Sequence, residues 1–256
     1  MIKATDITKS YGSKLILDDL TMQFPKGKIT SLIGSNGAGK STLLSIISRL
    51  LEQDAGTVNV DGKRITEFKN KEIAQRLSIL KQSHNIGMKL SVEELVSFGR
   101  FPYSQGRLKE EDQRKIDEAL RFLSLDEIKD SYLDELSGGQ KQRAYLAMVV
   151  AQDTDYILLD EPLNNLDMKY SIEIMTTLRK LADELDKTII IVLHDINFAS
   201  HYSDYIAALK DGDVKYYGIT NKVITEQILH DVFDIRCAIT KNNGKKTCNY
   251  FNHNYK

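Results

Sequence analysis

The chain has 256 residues, 41% of them hydrophobic and 28% charged, the make-up of one large or two small globular domains. Thirty-five basic against 36 acidic residues leave a net charge of −1, which argues against coating nucleic acid or anionic lipid by bulk charge. Asp6 sits where a secretory leader needs an apolar run, and stretches such as Ile189–Leu193 and Ala144–Ala151 fall far short of the roughly 20 residues that span a bilayer, so neither a leader nor a membrane span is expected.

Alternation over the first 25 residues predicts β-strands with a turn at Tyr11-Gly12-Ser13. Ile29–Ile33 follows as a short buried strand, and Ser41–Leu51 as a helix with Leu43, Leu44, Ile47, Leu50 and Leu51 on one face. Thr57–Val60 and Ser78–Leu80 read as further strands. From Ser91 to Leu136 the pattern turns helical: Ser91 and Glu94 have capping-box spacing, and Lys109–Leu123 is a charged amphipathic helix. Alternation then returns, with a helix to Ala151, a strand Tyr156–Leu159, a helix Met168–Leu185 and a strand Thr188–Leu193. A short helix near Phe198, a hairpin about Asp211-Gly212-Asp213, a helix Thr225–Phe233 and two short strands around Asn242-Asn243-Gly244 complete the order. The polar tail Cys248–Lys256 is expected to be disordered. Cys237 and Cys248 are expected as unpaired thiols of a reduced, cytosolic chain, with a mutual disulfide as the alternative. Strands alternating with helices predict a mainly parallel α/β fold.

Gly34-Ser35-Asn36-Gly37-Ala38-Gly39-Lys40-Ser41 fits the phosphate-loop pattern G-x-x-x-x-G-K-[ST]. A triphosphate must be held by backbone amides, and glycines let the chain curl so that N–H groups point inward. The following helix adds its positive end, and Lys40 adds a full charge. The Ser41 hydroxyl suits Mg²⁺, and Thr42 can reach phosphate. Tyr156–Glu161 is an apolar strand ending in two carboxylates: Asp160 suits the Mg²⁺ shell, and Glu161, on the other face, suits a base that polarises the attacking water. Leu136-Ser137-Gly138-Gly139-Gln140 opens a helix with capping-box spacing between Ser137 and Gln140, a second anion-ready end. One chain needs a single γ-phosphate cradle, so a second one implies presentation to another subunit.

Taken in order, these motifs resemble the ATP-binding subunits of ABC transporters over residues 2–220. The resemblance implies a P-loop ATPase core with an N-terminal antiparallel β subdomain and a helical signature subdomain. Its boundaries would be about 1–84 and 152–220 for the core, 85–151 for the helical part, and 221–256 for a C-terminal extension. It also implies a head-to-tail homodimer, with each ATP between one phosphate loop and the other chain's Ser137, Gly138, Gly139 and Gln140. Tyr11 is then similar to the aromatic that stacks on adenine. Gln82 resembles the residue that reaches Mg²⁺ and the water and signals to the permease. His194 resembles the switch histidine at the γ-phosphate. Asp167 matches the residue that crosses the dimer interface, or serves as N-cap of the helix at Met168, or both. Asn164-Asn165 depart from the small residues of many relatives. The implied setting is the cytoplasmic face of a cell membrane, with integral permease subunits, an extracytoplasmic binding protein acting indirectly, and no nucleic acid.

Leu95-Val96-Ser97-Phe98-Gly99-Arg100-Phe101-Pro102-Tyr103 resembles a Gly-Arg-x-Pro-Tyr stretch of importers of iron–siderophore complexes, haem and cobalamin, while the run Leu193–Ala199 with Tyr202-Ser203-Asp204 and the stretch Asp160–Asp167 resemble the iron–siderophore group, the catecholate and petrobactin types above all. Haem, cobalamin or a metal ion as cargo, or a non-transport ABC ATPase, are the alternatives.

Overall fold

The computed structural model describes residues 1–82, 88–164 and 166–250. The chain divides into two units, Met1–Glu67 with Thr188 onward, and Phe68–Lys187.

The first unit opens with strands β1 (Ile2–Tyr11) and β2 (Lys14–Phe24), an antiparallel hairpin turning at Gly12-Ser13 as the sequence predicts. Their alternating apolar residues, Ile2, Ala4 and Ile7 against Leu17, Leu20 and Phe24, are fully buried. Strand β3 (Ile29–Gly34) is buried along its whole length and feeds helix α1 (Lys40–Ile47). Strands β4 (Ala55–Val60) and β5 (Lys63–Arg64) extend the antiparallel sheet in the order β2-β1-β4-β5. Helix α1 is shorter than predicted. Arg49 adopts a left-handed φ of 62°, and the amides of Leu50 and Leu51 both fold back onto the Ser45 carbonyl at 2.9 and 3.1 Å. That closure ends the helix and leaves Leu50 53% exposed instead of on the buried face.

The second unit carries helix α2 (Asn70–Ala74), strand β6 (Leu77–Leu80), helices α3 (Val92–Ser97), α4 (Phe101–Ser104), α5 (Glu110–Phe122) and α6 (Gly138–Ala151), strand β7 (Tyr156–Asp160) and helix α7 (Met168–Leu185). Strands β6 and β7 run parallel, from Leu77 opposite Tyr156 to Leu80 opposite Leu159. The predicted capping box opens α3: the Glu94 amide donates to Ser91 Oγ at 3.2 Å, and the Ser91 amide donates to the Glu94 carboxylate at 2.7 Å. Helix α5 packs the Ile116, Ala119 and Leu120 side of its amphipathic pattern inward.

The Gly99–Tyr103 stretch locks this unit. A Cβ on Gly99 would meet the Met148 carbonyl oxygen of α6 at 2.1 Å. Arg100, only 4% exposed, donates to Asp112 Oδ1 at 3.0 Å and to the Ala151 carbonyl at 2.9 Å, and lies 4.0 Å from the centre of the Tyr103 ring. Burial pushes the Asp112 pKa up, but the Lys109 amide and Arg100 pull it down further, so it falls below the usual carboxylate value.

The chain then returns to the first unit with strand β8 (Thr188–Val192), helix α8 (Ile196–Tyr202), strands β9 (Tyr205–Lys210) and β10 (Asp213–Ile219), helices α9 (Thr220–Val223) and α10 (Glu226–Phe233), and strands β11 (Ala238–Asn242) and β12 (Lys245–Asn249). Strand β3 lies between β8 and β9 and is parallel to both, while β10 pairs antiparallel with β9. The phosphate loop and His194 therefore leave from the carboxyl ends of adjacent parallel strands, where α/β sheets place their ligands.

The C-terminal end differs from expectation. Cys248 and Asn249 belong to β12, and Cys248 is 3% exposed, because β12 is bonded along α8. Residues 251–256 lie outside the described residues. Both cysteines are free thiols, and burial pushes Cys237 up and Cys248 up to about 11, the environment of an inert thiol. Among the described residues no helix is long and apolar enough to cross a membrane.

Candidate functional site

In the first unit the loop Gly34–Gly39 links β3 to α1. Gly39 is the N-cap with a left-handed φ of 96°, and a Cβ there would lie 2.6 Å from the Leu17 side chain. Only glycine meets both conditions without a shift of its neighbours. Helix α1 starts with no side-chain cap and no acidic residue in its first turn, so its opening amides keep their positive end. Lys40, 5% exposed, doubles back over its own loop and donates to the carbonyls of Gly34 at 2.8 Å and Ser35 at 2.9 Å. The Ala38 amide closes a turn onto the Ser35 carbonyl at 3.2 Å, and Ser35, Asn36 and Gly37 remain exposed at the rim. Ser41 and Thr42 occupy the first helical turn, half-buried.

His194 is exposed just past β8. The Leu193 amide donates to the Leu32 carbonyl at 3.2 Å, which carries the β3 pairing to the residue before the histidine. Asp195 then caps α8, its carboxylate accepting from the amides of Asn197 at 2.7 Å and Phe198 at 3.0 Å. Tyr11 stands at the end of β1, 53% exposed, with the Lys9 ammonium 5.9 Å from its ring centre.

In the second unit Asp160 ends the buried strand β7 and is itself only 7% exposed. Glu161 follows with a φ of 52°. Its Oε2 accepts a hydrogen bond from Gln82 Nε2 and another from Asn164 Nδ2, both at 2.5 Å. Gln82 and Glu161, expected to act together, are therefore in contact. Asn164, noted in the sequence only as a departure from small residues, is the second donor to the same oxygen. Asn165 lies outside the described residues.

Helix α6 starts with the predicted capping box: the Gln140 amide donates to Ser137 Oγ at 3.3 Å, and the Ser137 amide donates to Gln140 Oε1 at 2.9 Å. Gly138 faces open space, whereas a Cβ on Gly139 would strike the Tyr170 ring at 2.6 Å. Tyr170 also donates its amide to Asp167 Oδ1 at 3.0 Å, so Asp167 is the N-cap of α7. Arg143 lies 5.8 Å from the centre of the same ring and donates to the Leu123 carbonyl at 3.2 Å. Tyr170 thus links the Ser-Gly-Gly-Gln turn to Asp167. An isolated tyrosine on the predicted helix Met168–Leu185 carries no such signal in the sequence.

The residues fit their expected ligands. The uncapped start of α1, with a buried lysine curled over a glycine loop, matches a triphosphate. In the first unit Ser41 offers a hydroxyl, and in the second Gln82 and Asp160 offer a carboxamide oxygen and a carboxylate, each an oxygen donor of the kind Mg²⁺ takes beside phosphate. The Gln82 carboxamide gives its nitrogen to Glu161, which leaves its oxygen for another partner.

A family model described as "ABC transporter" matches residues 17–164. The petrobactin import ATP-binding protein YclP of Bacillus subtilis (strain 168) is 53% identical, over 98% of this chain and 100% of its own length. The petrobactin import ATP-binding protein FatE of Bacillus anthracis is 48% identical, over 94% of this chain and 96% of its own length. The ferric enterobactin transport ATP-binding protein FepC of Escherichia coli (strain K12) is 36% identical, over 93% of this chain and 89% of its own. Among solved structures, the dimeric MJ0796, a bacterial ABC transporter cassette, superposes with a TM-score of 0.76 at 32% identity, covering 86% of this chain and 99% of that one. An inward-facing putative metal-chelate type ABC transporter gives 0.83 at 22% identity over 97% of this chain and 95% of its own, a likeness of fold.

Proposed function

The chain belongs to the ABC transporter family, and from that premise we propose that it hydrolyses ATP to power import of an iron–siderophore complex. The observation that carries the energetic half is the pair of glycine-bearing helix starts, one uncapped beside Lys40 and one presented by Ser137–Gln140. The cargo half is supported by the relatives, whose names give petrobactin, achromobactin and enterobactin as what they transport.

Residues Gly34–Thr42 bind the triphosphate, and Tyr11 stacks on the adenine. Glu161 polarises the attacking water, and His194 donates to the γ-phosphate as charge shifts during transfer. Ser41, Gln82 and Asp160 would hold Mg²⁺, which would supply positive charge to offset that building on the phosphate oxygens. Ser137, Gly138, Gly139, Gln140 and Asp167 act on the nucleotide of a second copy. Two ATP molecules draw the copies together, and hydrolysis with phosphate loss releases them. The dimer works at the cytoplasmic face of the membrane against permease subunits, with an extracytoplasmic binding protein delivering cargo. About 1–84 and 152–220 form the core, 85–151 the helical subdomain and 221–256 the extension.

Phosphate release by the purified chain tests the catalytic reading: Glu161→Gln should retain ATP binding and lose about 100-fold or more in turnover. Normal hydrolysis by that variant removes Glu161 from the base role. Growth on a single catecholate siderophore, with and without this chain, tests the cargo. Growth that depends on the chain only with haem, cobalamin or a metal ion would reassign it.

A further inference from the structure

The C-terminal hairpin is bonded to one face of the helix that follows His194. Asn197, Ser200 and His201 are spaced i, i+3 and i+4, so they share a side of α8. Each meets the main chain or a hydroxyl of β12. The Asn197 carboxamide makes both bonds of a strand neighbour: the Cys248 amide donates to Oδ1 at 2.7 Å, and Nδ2 donates to the Cys248 carbonyl at 3.2 Å. Ser200, 1% exposed, donates to the Lys246 carbonyl at 2.6 Å. His201 donates its Nδ1–H to the Asn197 carbonyl at 2.9 Å, and Nε2 then accepts from the Thr247 hydroxyl at 3.4 Å.

The hairpin is anchored at its far side as well. Lys246 donates to the carbonyls of Asn221 and Ile224, both at 2.7 Å, and the Ile239 amide donates to Glu226 Oε1 at 3.0 Å. Helix α8 has only seven residues, too few to hold its own position, and its start is fixed by the Asp195 carboxylate directly after His194. Two constraints thus meet on one short helix: the Asp195 cap at the start, and the hairpin along the side.

We propose that Asn197 is a positioning residue for catalysis, through which the C-terminal hairpin β11–β12 holds α8 and so the placement of His194. This rests on the reading of His194 as the γ-phosphate contact. The clamp's bonds named above run among α8, β12 and residues 221–239 and not to the cradle Gly34–Thr42, so loss of the clamp lowers turnover and spares nucleotide binding.

The test is a double-mutant cycle on the full chain, reading kcat, KM for ATP and the affinity for a fluorescent ATP analogue. Asn197→Ala is expected to lower kcat about 10-fold with KM and affinity within about twofold. The double variant His194→Ala with Asn197→Ala is expected to be no slower than His194→Ala alone, because Asn197 acts through that histidine. Ser200→Ala removes one bond from the same face, leaves Asn197 in place, and carries the same cycle if Asn197→Ala does not fold. Full kcat in His194→Ala overturns the reading of the histidine itself. Loss in His194→Ala but unchanged kcat in Asn197→Ala and Ser200→Ala overturns the clamp. Additive losses in the double variant, or a parallel rise in KM, show a general structural role and also overturn it.

Discussion

Helices α1 and α6 both begin at glycines that the sequence marks as anion sites, yet they are finished differently. Helix α1 has no side-chain cap at its start and a buried lysine bent over the loop before it. Helix α6 has a side-chain partner at each end. Ser137 and Gln140 close its first turn, and Arg100 donates to the Ala151 carbonyl at its last. The difference separates two ways of meeting a nucleotide. The first helix leaves the groups at its start for phosphate to satisfy, and the second is a finished surface that can be offered to another molecule.

The largest expected effect on nucleotide binding falls on α1. Lys40→Ala should weaken ATP binding at least about 100-fold, equivalent to about 2.7 kcal/mol, with little change in melting temperature. Tight ATP binding by that variant would erase the distinction between the two helix starts. The reverse pattern is expected at the far end of α6. Asp112→Asn leaves the Arg100 charge buried without its carboxylate and should cost about 3–5 kcal/mol of stability, read by denaturant melts, while ATP affinity holds.

The same pair sets an acid limit. Asp112 titrates below its unfolded value of about 3.9, so its contribution is complete above that pH and is lost as pH falls through the lowered folded value. Melts of the parent chain should therefore steepen in their pH dependence below about pH 4, and Asp112→Asn should lose that component. At the start of α6, Ser137→Ala removes the cap and should cost about 1 kcal/mol of stability, with ATP binding to a single chain unchanged and turnover reduced. The smallest effect is expected at Asn164→Ala, a few-fold change in turnover as Glu161 loses the Asn164 donor.

Both helix starts were legible in the sequence because each is a local pattern whose chemistry needs particular residues at fixed spacing. The same holds for the α3 capping box, for the limits of α7 and for the C-terminal hairpin around Asn243. What escaped depends on contacts distant in sequence. The end of α1 hinged on a left-handed Arg49, which composition does not announce. Tyr170 gained its place from Gly139, 31 positions earlier, and Cys248 was buried by Asn197. The short helices α2 and α9 carry too few residues to show a period. Gly99 and Arg100, part of the stretch that carries the resemblance to importers, seat α4 and α5 against α6, a packing role their spacing alone does not reveal.

The central claim is that α1 of one copy and α6 of another complete each ATP site. Sedimentation of Glu161→Gln with and without ATP tests it most directly, with Ser137→Arg added to the same chain as the control. ATP is expected to shift the chain from monomer to dimer, and Ser137→Arg to abolish that shift while ATP remains bound. A chain that stays monomeric at saturating ATP, or a dimer indifferent to both nucleotide and Ser137→Arg, would contradict it.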